Sequence, residues 1–251
     1  MVTRWLKLTV AYDGARYSGW QSQPDRPTVQ GTIEAAWHEI TQETLRVTAA
    51  GRTDAGVHAL GQVVGLSTET LLSTATLLRA LNAVLPSDVA VVRIEEAHEG
   101  FHATYEAIGK RYRYQIHNGR VPSVFDRDFA WHFPHELDEE AMRRAGQVLI
   151  GRHDFSSFET AGSERPDSVR TITELTVARG AAELAERVTI EVAGDGFLYN
   201  MVRTIVGTLV EVGRGARDEA WPGDVLVACD RRQAGQTAPP HGLFLVRVDY
   251  P

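Results

Sequence analysis

The sequence predicts an α+β fold built from two halves that share sheet edges. Stretches in which apolar and polar residues alternate, as in strands, are interspersed along the chain with stretches whose apolar residues recur at helical spacing. The first half of the chain follows the order βαββαβ, and a second set of strands and helices begins near Thr104. Strands and helices mixed in this way, without a strict βα repeat, are typical of the α+β class.

The first half opens with a strand that ends at the Asp13-Gly14 turn. Thr28 follows Pro27 and is placed to cap a helix whose apolar positions include Ile33 and Trp37. In chain order, the predicted elements are a strand at 4–12, this helix, strands at 46–50 and 62–67, a helix at 74–84 and a strand at 89–94. The Gly-containing loop 51–59 therefore joins two strands.

The second half is predicted to contain more strands and three helices. Its elements are strands at 104–118 and 129–133, a helix at 138–150, strands at 172–179 and 187–193, helices at 199–212 and 221–228, and a closing strand at 243–250. Gly213 and Gly215 are expected to end the long helix, and 160–170 has the composition of a loop. We expect two domains, at 1–103 and 104–251.

Composition excludes several classes of protein. No apolar run approaches the roughly 18 residues that a membrane span requires, and the N-terminus lacks the apolar core of a signal peptide, so we expect a cytoplasmic protein. The single cysteine, Cys229, excludes an intramolecular disulfide framework and a thiolate zinc cluster. Its apolar neighbours predict an inert, buried helix position for it.

The charge pattern leaves a nucleic-acid partner open. A net charge of -7 argues against such a partner on average, but 24 of the 26 basic residues are arginine, the side chain suited to phosphate contacts and to stacking on bases. Between Ala103 and Arg127 the sequence contains five basic residues, and its only acidic residues are Glu106 and Asp126. An acidic protein with this distribution can still carry a basic cleft.

Asp54 is the first candidate for chemistry, since it lies in a Gly-flanked loop between Arg52 and His58. A carboxylate in such a loop can meet a ligand, and a neighbouring arginine favours its ionised form. The same residues are also compatible with a turn in which Thr53 and Asp54 cap backbone amides. Taken alone, the loop leaves both interpretations open.

The loop closely resembles the signature segment of the tRNA pseudouridine synthase A family. Further stretches resemble the same family in the same order, so that the similarity spans nearly the whole chain: Tyr12-Asp13-Gly14, Gly19-Trp20-Gln21, Phe101-His102-Ala103, Arg111-Tyr112-Arg113-Tyr114, Met201-Val202-Arg203 and Gly242-Leu243. The resemblance implies a pseudouridine synthase fold, in which two ferredoxin-like or RRM-like halves join their antiparallel sheets into one around a cleft. It also implies an isomerase that converts uridine to pseudouridine without a cofactor.

The resemblance assigns roles residue by residue. Asp54 matches the obligatory aspartate, and Arg203 matches its salt-bridge partner. Tyr112 and Leu243 match the residues on either side of the target base, which needs flat or apolar walls once it leaves its stack. Arg52 matches the residue that holds the flipped-out state. We also expect RNA contacts from His58, Arg111 and Arg113.

The resemblance further implies tRNA as the partner, uridines 38, 39 and 40 of the anticodon stem-loop as targets, and a homodimer. His98 and His102 lack a third ligand at zinc spacing, so no metal is expected. A non-catalytic RNA-binding protein and a metal-dependent phosphohydrolase that uses Asp54, His58 and His98 are the competing hypotheses. Whether Asp54 attacks the ribose, attacks the uracil or removes a ribose proton stays open.

Overall fold

The computed structural model describes residues 3–160 and 167–251. It divides into two compact units, of which the first comprises the chain up to Ile108 together with Phe244–Pro251, and the second comprises Gly109–Leu243. Among the residues described, no helix is both long and apolar enough to cross a bilayer. The predicted α+β class is confirmed, whereas the predicted domain boundary after residue 103 stays a prediction.

The regular elements alternate along the chain in the predicted manner. In order they are β1 (Arg4–Tyr12), α1 (Val29–Thr41), β2 (Thr48–Ala49), β3 (His58–Thr68), α2 (Thr74–Val84), β4 (Val89–Ala97), β5 (Gly109–His117), β6 (Trp131–His132), α3 (Glu139–Gly146), β7 (Gly151–Asp154), β8 (Val169–Arg179), β9 (Arg187–Gly194), α4 (Met201–Gly213), α5 (Trp221–Ala228) and β10 (Leu243–Asp249). The βαββαβ order of the first half is confirmed.

The sheet of the first unit is centred on β1, which pairs antiparallel with both β3 and β4. Every second residue of β1 is buried, as the alternation predicted. The chain returns at its end, and β10 adds a parallel partner to β3 with Phe244 opposite His58. The strand that follows the Asp54 loop therefore has partners on both sides.

Helix α1 begins where the sequence predicted. The side chain of Thr28 accepts the backbone N–H of Gly31 at 3.3 Å, which satisfies one of the N–H groups that the first turn leaves unpaired. The helix buries Val29, Ile33 and Trp37 along one stripe. The predicted cap and apolar face are both confirmed.

The sheet of the second unit has the order β5-β9-β8-β7, all antiparallel, and β6 pairs with β5 in parallel. Along β5 the side chains of Tyr112, Tyr114 and Ile116 are buried, whereas their neighbours are only partly so. Helix α4 is buried over most of its length and ends at Gly213. Buried and partly exposed side chains thus alternate along β5, and the predicted end of the long helix is confirmed.

Several predicted bounds were wrong for local reasons. β3 begins at His58 rather than at residue 62, because Ala59 already pairs with Tyr12 of β1. β5 begins at Gly109 rather than at 104, since the preceding residues form a turn in which the N–H of Glu106 donates to the carbonyl of His102. Of the predicted loop 160–170, residues 161–166 lie outside the described residues.

Cys229 is not buried, contrary to the prediction. Helix α5 ends one residue earlier, and Cys229 takes the left-handed C-cap position with φ of 46°, which leaves its side chain exposed. The neighbouring Val227 is also largely exposed. The apolar neighbours of Cys229 in the sequence therefore did not predict its burial correctly. The helix ends at Ala228, before Cys229 can join its buried face.

Candidate active site

The Asp54 loop joins β2 to β3 over residues 50–57. It begins with the N–H of Ala50 donating to the carbonyl of Val63 at 2.8 Å, and it ends with the N–H of Val57 donating to the carbonyl of Asp54 at 3.1 Å. Midway along the loop, the carbonyl of Thr53 accepts the N–H of Trp20 at 3.0 Å. These backbone bonds fix the course of the main chain on both sides of the Asp54 carboxylate, which is partly exposed.

A buried polar network holds the same loop from beneath. The hydroxyl of Tyr12 lies 2.7 Å from Oγ1 of Thr53, and Nε2 of Gln62 donates to the carbonyl of Gly51 at 2.8 Å. Burial raises the pKa of Tyr12 to about 12, although its bonds to Thr53 and Gln62 work in the opposite direction. The phenol therefore stays protonated at physiological pH and can serve as a permanent partner of the loop.

Two glycines allow the segment after β1 to pack directly on the loop. Gly19 has φ of +95°, and a Cβ on it would lie 2.8 Å from the carbonyl oxygen of Thr53. A Cβ on Gly14 would lie 2.0 Å from the carbonyl oxygen of Val57. Only glycine fits backbone approaches this close. Both belong to stretches that carry the resemblance, but the close approach of the two backbone segments could not be predicted from either stretch.

Arg52 and His58 have contrasting environments. Arg52 is exposed, and no hydrogen-bond or ion-pair partner for its guanidinium occurs within 3–160 and 167–251. The side chain of His58 is only 1% exposed, lies with Nδ1 3.1 Å from the N–H of Gly14 and 3.0 Å from Oδ1 of Asp13, and stacks on Phe244. A ring so enclosed supports the turn after β1, and the RNA contact expected of His58 stays a prediction.

In the second unit, β5 presents Tyr112 and Tyr114 in different environments. The ring of Tyr112 is 8% exposed and meets Phe197 edge-on, with 5.1 Å between ring centroids. Tyr114 is fully buried and donates its hydroxyl to the carbonyl of Pro239 at 2.8 Å, and burial raises its pKa. Tyr114 therefore belongs to the core, and the pocket role of Tyr112 stays a prediction.

Arg203 is oriented by fixed acceptors. Its Nε donates to the carbonyl of Ala238 at 2.7 Å, and Nη1 donates to Oδ1 of Asn200 at 2.7 Å. Asn200 adopts a left-handed conformation with φ of 62° immediately before α4. An arginine held at Nε and at one Nη still has N–H groups with which to meet a carboxylate. Leu243 is buried at the start of β10.

Arg111 and Arg113 form ion pairs across the sheet of the second unit. Arg111 lies between the carboxylates of Glu174 and Glu191, and Arg113 donates from Nε to Glu191 at 2.7 Å. The hydrogen bond to Glu174 is the main reason why the pKa of Arg111 is raised. These ion pairs join neighbouring strands of the sheet, and the predicted RNA contacts of Arg111 and Arg113 stay a prediction.

His98 and His102 do not share a ligand geometry. Nε2 of His98 lies 2.8 Å from Oε2 of Glu106, whereas Nδ1 of His102 accepts the N–H groups of Thr104 and Tyr105. Over the part of the chain that the structure describes, no three His, Cys, Asp or Glu side chains form a cluster suited to a metal. These histidines are engaged in local hydrogen bonds.

Comparison with known proteins places the chain in a family. The family described as tRNA pseudouridine synthase matches residues 8–106 and 145–251. The chain belongs to this family. Its members isomerise uridine to pseudouridine, so the protein is an isomerase that acts on tRNA.

The relatives cover essentially the full length of the chain. A tRNA pseudouridine synthase A from Moorella thermoacetica is 48% identical over 248 residues, with 98% of this chain and 99% of the relative covered. Those from Acetivibrio thermocellus and Bacillus subtilis are 46% and 44% identical, each with 98% of this chain covered and with 99% and 98% of the relative covered. Among solved structures, an archaeal box H/ACA Nop10–Cbf5 complex matches at a TM-score of 0.36 and 13% identity, covering 82% of this chain and 44% of that chain. The family assignment does not depend on that structural match.

The residues that position the loop were not among the predicted site residues. Tyr12 lies in a stretch that resembles the family but was given no role, and Gln62 was not singled out at all. A signal for Gln62 was available, since it is a polar residue on the apolar strand β3 next to the loop, where it is fully buried. Asn200, which orients Arg203, offered no comparable signal, because its left-handed conformation is not readable from its neighbours.

Proposed function

We propose that the protein isomerises uridines 38, 39 and 40 in the anticodon stem-loop of tRNA, with Asp54 as the essential residue and the target base flipped into the site. The observation that carries the proposal is the near full-length similarity to tRNA pseudouridine synthase A proteins, which includes the loop that the structure anchors on both sides of Asp54. Chemistry on a base requires that the base leave its stack, which supports flipping.

The reaction conserves all atoms of the substrate. The bond from ribose C1′ to uracil N1 breaks, the uracil turns, and a new bond joins C1′ to C5. The C5 proton is lost and N1 gains one, so neither an oxidant nor a second substrate is required. An ionised Asp54 could attack the ribose or the base as a nucleophile, or remove a ribose proton.

The remaining residues have supporting roles in this proposal. Arg203 is the ion-pair partner of Asp54, and its fixed bonds to Ala238 and Asn200 favour one orientation of the guanidinium. Tyr112 and Leu243 line the pocket for the flipped base. Exposed Arg52 occupies the vacated stack, where a planar cation can both stack and meet phosphates.

The same resemblance supports proposals on domain organisation, oligomeric state and cellular location. We propose that the sheets of the two halves join into one around the active-site cleft, with the Asp loop supplied by residues 1–103 and the remaining residues by 104–251. We further propose that a cytoplasmic homodimer holds the tRNA across both subunits. The matches to bacterial relatives over their whole length support this organisation.

Mapping of pseudouridine in tRNA tests the proposal directly. Unmodified tRNA transcripts are incubated with the purified protein with and without a chelator, treated with a carbodiimide and read by reverse transcription. We expect new stops at positions 38 to 40 and none without the protein. The absence of new stops despite tRNA binding would favour a non-catalytic RNA-binding protein. Phosphohydrolysis that the chelator abolishes would favour the metal-dependent phosphohydrolase.

A further inference from the structure

Tyr105 is an exposed aromatic ring with a preformed stacking partner. Its relative exposure is 83%, although one face packs on the imidazole of His102 with 4.0 Å between ring centroids and 23° between planes. With one face covered by His102 and exposure this high, most of the accessible surface belongs to the opposite face. An aromatic ring of this kind offers a flat, unoccupied platform on the protein surface.

The turn beneath this ring is held by several hydrogen bonds. Nδ1 of His102 accepts the N–H of Thr104 at 3.2 Å and that of Tyr105 at 3.3 Å, so the neutral ring carries its proton on Nε2. The N–H of His102 donates to Oε1 of Glu106 at 2.7 Å, and the N–H of Glu106 returns to the carbonyl of His102 at 3.2 Å. The imidazole is thus fixed in place under Tyr105 before any ligand arrives.

The turn is built on the base of the Asp54 loop. Oγ1 of Thr104 donates to the carbonyl of Ala49 at 2.7 Å, and Phe101 and Ala103 pack in one apolar cluster with Ala50. The chain runs from Ala50 directly into the loop. Tyr105 and Arg52 therefore each lie two residues from a position in the same packed cluster.

The charges nearby indicate which part of a nucleic acid the platform suits. Glu106 is ionised, since its bonds to the N–H of His102 and to His98 lower its pKa, and exposed Glu99 adds a second carboxylate. The charge of Glu106 is paired with His98, whose pKa is raised by its backbone bond to Glu99 and by Glu106 itself, and residues 101–108 contain no arginine or lysine that would bind a phosphate. The neutral face of a base needs no such partner, because stacking on a tyrosine needs no charge.

From this geometry we propose that Tyr105, supported by His102, binds an unpaired nucleobase of the tRNA substrate at a place separate from the pocket of the target uridine. The inference rests on the proposed function, because it takes tRNA as the ligand. Bases left unpaired in an RNA loop are the ones that stack on exposed aromatic side chains. A ring already held in place loses little conformational freedom on binding, which favours affinity.

Binding measurements with matched variants test this site. Dissociation constants for an unmodified tRNA transcript are measured with the wild type, Tyr105→Ala and Tyr105→Phe. Because stacking accounts for the effect, we expect Tyr105→Ala to bind at least about fivefold more weakly, as is usual for loss of a base–aromatic stack, and Tyr105→Phe to stay within about twofold of the wild type. Leu71→Ala, which removes an equally exposed apolar side chain from the same unit, serves as the control and should bind like the wild type.

Each alternative result contradicts the site. Unchanged tRNA affinity in Tyr105→Ala would contradict a role for the ring. If Tyr105→Phe lost as much affinity as Tyr105→Ala, the hydroxyl rather than stacking would account for binding. An equal loss of affinity in Leu71→Ala would show that the effect is not specific to Tyr105. Pseudouridine formation by the wild type in the same preparation separates this inference from the proposed function. If product forms while the variants bind alike, only the platform fails, whereas absence of product contradicts the function itself.

Discussion

At the scale of single residues, the Asp54 loop depends on side chains that do not react. Nε2 of Gln62 donates to the carbonyl of Gly51 and reaches the hydroxyl of Tyr12, which in turn bonds to Thr53. Oε1 of Gln62 is buried and has no hydrogen-bond partner among residues 3–160 and 167–251, a cost of about 1–3 kcal/mol. Gln62 therefore lowers the stability of the fold through this unpaired oxygen, but its Nε2 holds the Asp54 loop in position.

Tyr12→Phe tests this positioning. Removal of the hydroxyl leaves Oγ1 of Thr53 and Nε2 of Gln62 with one partner fewer, so we expect a loss of about 1–2 kcal/mol in the free energy of unfolding. We also expect a slower single-turnover rate of pseudouridine formation at saturating tRNA, with little change in tRNA affinity. Urea unfolding and rapid quench measurements give the two quantities.

Tyr17→Phe provides the matched control for that variant. It also removes one tyrosine hydroxyl from the first unit, but this hydroxyl donates to Oδ1 of Asp88 at 2.7 Å rather than to the loop. A similar loss of stability with an unchanged single-turnover rate is expected. Equal slowing in both variants would mean that the rate follows stability in general and would contradict a specific role for Tyr12.

At the scale of elements, Glu43 ties the end of α1 to β3. Its Oε2 accepts from Nε1 of Trp37 at 3.0 Å and from the hydroxyl of Thr68, and Oε1 accepts the N–H of Glu69 at 2.8 Å. Partial burial raises the pKa of this carboxyl, but the hydrogen bonds outweigh burial, and the net pKa is lowered. The carboxylate form is the one that joins the helix to the strand.

Glu43→Gln should therefore destabilise the protein in a pH-dependent manner. Because the folded pKa is depressed, the carboxylate stabilises the fold above its unfolded pKa of about 4.5, and this contribution is lost as the pH falls through the lower folded value. We expect a loss of about 1–2 kcal/mol at pH 7 that shrinks below pH 4. Urea unfolding across this range measures it, and a difference that is constant with pH would contradict the assignment.

Glu39→Gln on the same helix is the comparison variant. Glu39 is exposed, and exposed carboxylates contribute little to stability. We expect its unfolding free energy to stay within about 0.5 kcal/mol of the wild type at every pH. An effect as large as that of Glu43→Gln would assign the loss to the helix charge rather than to the connection with β3.

Elements with a strong apolar period were predictable from the sequence, and those defined by tertiary contacts were not. Helices α1 and α2 carry caps and apolar stripes of their own, so their bounds followed from the sequence. β7 has the polar sequence Gly-Arg-His-Asp and exists because it pairs with β8, so no local period marks it. The early start of β3 likewise depends on Tyr12, which is distant in sequence.

At the scale of the whole molecule, the resemblance indicated the family and the candidate site residues, and the structure shows which residues hold those candidates in place. Asp54, Tyr112 and Arg203 were chosen from motifs alone. The supports could not be chosen in this way, because the link between Gln62 and Gly51 crosses from a strand to a loop, and the orientation of Arg203 depends on Ala238, which is far along the chain. Long-range contacts of this kind leave no periodic trace in a sequence.

In the proposed function, the carboxylate of Asp54 is required for catalysis and not for tRNA binding. The most direct test is pseudouridine formation in unmodified tRNA by Asp54→Asn, measured together with the dissociation constant for the same tRNA and with exposed Asp25→Asn as the control. We predict no detectable pseudouridine with Asp54→Asn, tRNA affinity within about threefold of the wild type, and normal product with Asp25→Asn. Substantial pseudouridine formation by Asp54→Asn would contradict the account.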